Sequence, residues 1–139
     1  MRAVLDTNVL VAGLRSKRGA SHELLRLLDQ REWTMVLSNT LLTEYQEVLH
    51  REQIALSYTH EELERLLDGL CLRAEKVHLR SRWWPVLTDA DDEAMVHLAV
   101  ESRTEYLITF NVRHLQPAVE MGVSVVTPAE FLRKLRGKL

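Results

Sequence analysis

The chain has 139 residues, 46% of them hydrophobic, with a formal net charge of −2 and a single cysteine. These figures exclude a disordered chain, an internal disulfide framework and binding of nucleic acid by bulk charge alone, and they suit one domain spanning 1–139 with a real core. No apolar run reaches the length of a membrane span, Met1-Arg2 leads straight into a strand, and lone Cys71 fits a reducing compartment, so a cytoplasmic setting without membrane contact is expected.

The first strand covers Arg2 to Asp6, and a helix follows at once to about Leu14. Arg15-Ser16-Lys17-Arg18-Gly19 is a basic loop closed by glycine, after which Ser21 can cap a helix with Leu24, Leu25, Leu27 and Leu28 on one face. Trp33 to Leu37 reads as the second strand, and Ser38 or Asn39 opens a helix to about His50. A linker leads to the capping box Thr59-His60-Glu61-Glu62 and a helix carrying Leu63, Leu66, Leu67 and Leu70. Lys76 to Leu79 is a weak third strand, followed by the loop Arg80-Ser81-Arg82-Trp83-Trp84-Pro85. The acidic run Asp89 to Glu93 opens the next helix, Tyr106 to Thr109 is the fourth strand, and Val123 to Val126 the fifth. Thr127-Pro128-Ala129-Glu130 caps a final helix whose C-terminal Arg133, Lys134 and Arg136 suit its dipole. Strands alternate with helices, and the strands are continuous apolar runs. Both features predict an α/β fold: a central, mainly parallel sheet of about five strands between two layers of helices.

In such a sheet a site opens at the carboxyl ends of the strands, where Asp6 stands. Asp6 or Thr7 can equally well cap the first helix. Other acids reach the same edge. At about 100° per residue, Leu41, Leu42, Tyr45, Val48 and Leu49 define one arc of the third helix. Glu44 falls at the boundary of that arc, as a rim charge or a cleft residue, while Glu47 lies nearly opposite. In the acidic run, Asp89 or Asp91 is placed to cap, Asp92 projects with Met95 and Ala99, and Glu93 points away. Asn111, after the fourth strand, is a turn residue by type but is expected beside Asp6, since the first and fourth strands are neighbours across the switch point. Carboxylates gathered in one cleft repel one another unless a cation neutralises them, and a hard divalent ion prefers such oxygens.

Taken together, Asp6-Thr7-Asn8, Leu37-Ser38 with Glu44-Tyr45-x-x-Val48-Leu49, Asp89-x-Asp91-Asp92 and Ile108-Thr109-Phe110-Asn111-x-Arg113 resemble the PIN domain family. Arg15-Ser16, Gly19-Ala20-Ser21 and Thr127 to Leu132 are similar to the toxin components of prokaryotic toxin–antitoxin pairs. The resemblance implies a Rossmann-like α/β/α fold and a Mg²⁺- or Mn²⁺-dependent ribonuclease, often dimeric or of higher order and inhibited by a cognate antitoxin protein. Carried over by position, Asp6, Glu44 and Asp92 bind the metal and Asn111 completes the catalytic set. The family frequently has an acid where this chain has Asn111, which leaves one negative charge fewer for a second ion; Glu93 can substitute locally only if its helix starts in a different phase from the one read above.

Thr7, Asn8, Thr109 and Arg113 are the expected substrate contacts, with His114 beside them. The Arg15 to Arg18 loop is either a phosphate contact or a solvated loop. Arg80 to Trp84 mixes cations with tryptophans and suits a core edge or protein interface better than RNA stacking. Two other enzyme readings fit poorly. A haloacid-dehalogenase-type phosphotransferase needs an acid where Asn8 stands, and a receiver domain needs a lysine where Thr127 stands. The non-enzyme alternative is a catalytically weak or inactive PIN-like module that binds RNA or protein, motivated by Asn111.

Overall fold

The computed structural model describes residues 1–80 and 89–137. Its strands are β1 (Arg2–Leu5), β2 (Thr34–Leu37), β3 (Glu75–Lys76), β4 (Tyr106–Ile108) and β5 (Ser124–Val126). All pair in parallel, in the order β3-β2-β1-β4-β5. Its helices are α1 (Thr7–Arg15), α2 (Ala20–Asp29), α3 (Asn39–Arg51), α4 (Gln53–Leu56), α5 (His60–Arg73), α6 (Ala90–Glu101), α7 (Gln116–Glu120) and α8 (Pro128–Arg136).

The central strands have no solvent face. Ala3, Val4, Leu5, Leu107 and Ile108 are all fully buried, as continuous apolar strands require when helices cover both sides of a sheet. Chain order runs outward from β1 to β3, then returns to β4 and β5 on the other flank, so the switch point falls between β1 and β4. Leu5 pairs with Ile108 there, and the N–H of Asp6 donates to the Ile108 carbonyl at 2.9 Å. The sheet thus delivers Asp6 and Thr109 to one edge, side by side.

On the other flank β1 and β2 pair only at Arg2↔Thr34 and Ala3↔Met35. Because the Asp6 N–H points to β4, the preceding Leu5 carbonyl points away from it, beyond the last strand partner. The hydroxyl of Tyr45, a fully buried residue of α3, donates to this carbonyl. A helix side chain therefore completes a ladder that the strand leaves open, and it fixes α3 against the end of β1.

Two sequence expectations shift. The third strand lies at Glu75–Lys76 rather than Lys76 to Leu79, because β2 offers Val36 and Leu37 as partners just there. Charged residues on this edge suit a strand that must not recruit another chain, and Arg2 is ion-paired to Glu75 across the sheet end. Ser21 does not cap α2. Gly19 holds the cap position with φ 94°, a left-handed value that favours glycine, and no side chain caps the helix. Both capping boxes, at Thr59 and Thr127, form as the sequence pattern predicts. The element pattern missed three short pieces: α4, a 3₁₀ turn at Val112–Leu115, and α7. Of the aromatic loop, Arg82, Trp83 and Trp84 lie outside the described residues; Arg80 is described, and its N–H donates to Glu101 at 2.9 Å.

Candidate active site

A cavity of about 520 Å³ opens over the β1–β4 edge. Asp6, Thr7 and Asn8 come to it from the start of α1, Glu44 from α3, and Asp89, Asp91 and Asp92 from the start of α6. Three segments distant in sequence thus place carboxylates in one space.

Asp6 has two structural tasks there. As N-cap of α1 its Oδ1 accepts from the Asn8 N–H at 3.3 Å, and its Oδ2 accepts from the Thr109 hydroxyl at 2.7 Å. The capping reading and the cleft reading of Asp6 describe the same side chain. Thr109 is fully buried, so it sits behind Asp6 and orients it instead of meeting substrate. The Asn111 N–H in turn donates to the Thr109 hydroxyl at 3.0 Å, linking residues 6, 109 and 111 in one chain of hydrogen bonds.

Glu44 is half-buried and Glu47 exposed, in keeping with their helical phases. Burial of Asp6, Glu44 and Asp92 disfavours their charged forms and raises all three pKa values. Glu44 is pushed up to about 7, first by burial and then by the neighbouring Asp91 carboxylate. For Asp92 burial leads and Asp89 follows, while for Asp6 the Thr109 hydrogen bond offsets part of the rise. Asp89 caps α6 by accepting from the Asp91 and Asp92 N–H groups, at 2.9 and 3.1 Å. That leaves Asp92 free to line the cavity.

The rim is cationic. Arg15 and Arg51 both line the cavity; Arg15 reaches Glu52 at 3.7 Å, and Arg51 has no ion-pair partner among the described residues. Phe110, 51% exposed, stands at the mouth. Asn111, Arg113 and His114 are exposed and do not line the cavity, although His114 lies close enough to Asp92 to offset part of the pKa rise that burial, Asp89 and Asp6 impose on it. Glu93 does not line it either. Sequence reasoning missed Arg51 and Phe110 as members of the site. Arg51 is the last residue of α3, where its charge also suits the helix dipole, and Phe110 sat inside a motif read for its neighbours. A separate apolar cavity, lined by Leu10, Leu14, Leu25, Leu28, Leu66 and Leu70, contains none of these acids.

The donor set fits a hard divalent cation. It is all oxygen, it carries an excess of negative charge, and it includes the Thr7 hydroxyl, which is buried without a well-formed hydrogen bond; its approach to Glu44 offsets only part of that residue's pKa rise. Among the described residues no three of these acids have carboxylate oxygens within 4.8 Å of one another. That spacing suits an ion that keeps several of its waters, as Mg²⁺ does.

A parallel α/β sheet with an acidic, oxygen-lined cleft at its switch point defines a class of protein whose ligands bind outside the carboxyl ends of the strands. The chain matches the PIN domain family over residues 2–113 and belongs to it. PIN domains are generally nucleases that act on RNA, and they usually bind divalent metals. No curated protein matches the chain. Among the described residues no helix is long and apolar enough to cross a membrane.

Proposed function

We propose that this single domain is a Mg²⁺- or Mn²⁺-dependent endoribonuclease whose metal is held by Asp6, Glu44 and Asp92. The observation that carries the reading is the meeting, in one cavity, of three carboxylates from β1–α1, α3 and α6 whose charge is disfavoured by burial and by neighbouring carboxylates. Such an arrangement opposes stability unless a cation joins it. A bound divalent ion supplies Lewis-acid polarisation of the phosphodiester and a more acidic water.

The chain's own groups supply orientation. Thr109 fixes the Asp6 carboxylate, and Asn111 fixes Thr109 through its N–H. Asn8, Arg15 and Arg51, which line the cavity, are the groups proposed to meet the phosphate backbone, and the exposed Arg113 is proposed as a further contact outside it. Thr7 adds its unsatisfied hydroxyl to the cation's surroundings. The toxin role, a cognate antitoxin, a homodimer or higher oligomer and a cytoplasmic setting rest on the likeness of the Arg15 to Ser21 and Thr127 to Leu132 motifs to toxin nucleases. A neighbouring small open reading frame whose product relieves growth arrest by this chain would support that role.

The test is cleavage of single-stranded RNA with Mg²⁺ or Mn²⁺ by the wild type, Asp6→Asn and Asp92→Asn. The wild type is expected to cleave, and the two variants to lose activity while keeping their fold. Full activity in both folded variants overturns the metal assignment. A folded wild type that binds Mn²⁺ without cleaving RNA is instead a PIN-like binding module.

A further inference from the structure

A second group of ligand atoms lies where the last turn of α3 meets the first two turns of α5. His50 Nε2 and Glu64 Oε1 are 2.6 Å apart. The His60 ring stacks on that of His50, with centroids 4.6 Å apart and planes inclined by 30°. One ligand atom from each of the three lies within 4.8 Å of the other two, and none of the three residues lines the acidic cavity. From this juxtaposition we propose that His50, His60 and Glu64 form a second metal site, for a borderline-soft divalent ion of the Zn²⁺ type, that ties α3 to α5.

The local sequence builds the site. His60 and Glu64 are four residues apart on one helix, so they share a face and can grip one ion together. The Thr59 capping box fixes where that helix starts and therefore where His60 stands. Leu49 and Leu63, each next to a ligand in sequence, are fully buried and hold the two helices at a set spacing. Two imidazoles and one carboxylate are a zinc donor set with a position left for water, whereas Mg²⁺ prefers oxygen alone.

Little movement is needed. Ligand atoms around a tetrahedral Zn²⁺ lie roughly 3.3 Å apart, from bond lengths of about 2.0–2.1 Å. The His50–Glu64 contact opens slightly, and the exposed His60 closes by rotating its side chain. His50 Nδ1 is buried without a hydrogen-bond partner, so Nε2 is the atom that meets the ion and Nδ1 keeps the ring proton unsupported. Affinity is therefore expected to be roughly 10–100-fold below that of a site whose imidazoles are backed by acceptors. Occupancy would clamp residues 51–59, including Arg51 and Glu52 at the rim of the acidic cavity.

The experiment titrates the full chain with ZnCl₂ in excess Mg²⁺, following heat and melting temperature. One Zn²⁺ per chain and a higher melting temperature are expected. His60→Ala and Glu64→Gln, both at accessible side chains, lose both responses, whereas Glu44→Gln in the acidic cavity keeps them. Absence of Zn²⁺ uptake by the wild type overturns the proposal. So does uptake that survives His60→Ala and disappears in Glu44→Gln, because the ion then belongs to the acidic cavity. This outcome does not depend on whether the chain cleaves RNA.

Discussion

Glu44 shows how one side chain links stability to the proposed chemistry. Its carboxyl, ordinarily near 4.5, titrates at about 7 in the fold, and Asp6 and Asp92 are shifted in the same direction. An acid whose pKa is higher folded than unfolded holds its proton more tightly in the native state. Its stabilising contribution is complete below the unfolded value and is lost as pH rises through the folded one. The metal-free protein should therefore lose melting temperature as pH rises from 4.5 to about 7. Saturating Mg²⁺ should flatten that slope by favouring the ionised acids. A metal-free melting temperature that rises across this window would contradict the assignment of burial and repulsion to these carboxylates. The inward choice of Glu44 over Glu47 was legible because helical phase is a property of spacing. The pKa was not, since it depends first on how deeply the fold buries the carboxyl and then on Asp91, which approaches from another helix.

At the scale of elements, the joint between α3 and β1 sets the position of Glu44 relative to Asp6. Tyr45 belongs to the apolar arc that sequence spacing identifies, but its hydroxyl role follows from sheet register. Only because β2 stops pairing at Ala3 does the Leu5 carbonyl need a helix donor. Tyr45→Phe keeps the packing and leaves that buried acceptor unpaired, which should cost about 1–3 kcal/mol. Chemical denaturation measures it, and an unchanged stability would show that the bond contributes nothing. The capping boxes at Thr59 and Thr127 were readable as four-residue patterns, and they formed. By contrast α4, α7 and the 3₁₀ turn span only four or five residues each, too short for a hydrophobic period to declare itself.

At the scale of the molecule, strand order converts separated motifs into one cavity. Runs at residues 6–8, 44–45 and 89–92 meet because β1 is central, β4 returns beside it, and α3 and α6 pack against one another. The alternation of strands and helices made that architecture legible. The cationic rim was less so, because Arg51 comes from the far end of α3, whereas Arg15 sat in a visible basic loop. Net charge of −2 hides both, since it sums an acidic floor and a basic rim. The central claim, that this cavity is a metal-dependent ribonuclease site, is tested most directly by RNA cleavage across a Mg²⁺ titration for the wild type, Glu44→Gln and Glu47→Gln. The account predicts that cleavage requires the metal, that Glu44→Gln loses most of it, and that Glu47→Gln, on the exposed side of the same helix, retains it. Equal cleavage by the two folded variants, or wild-type cleavage that persists under chelation, would contradict it.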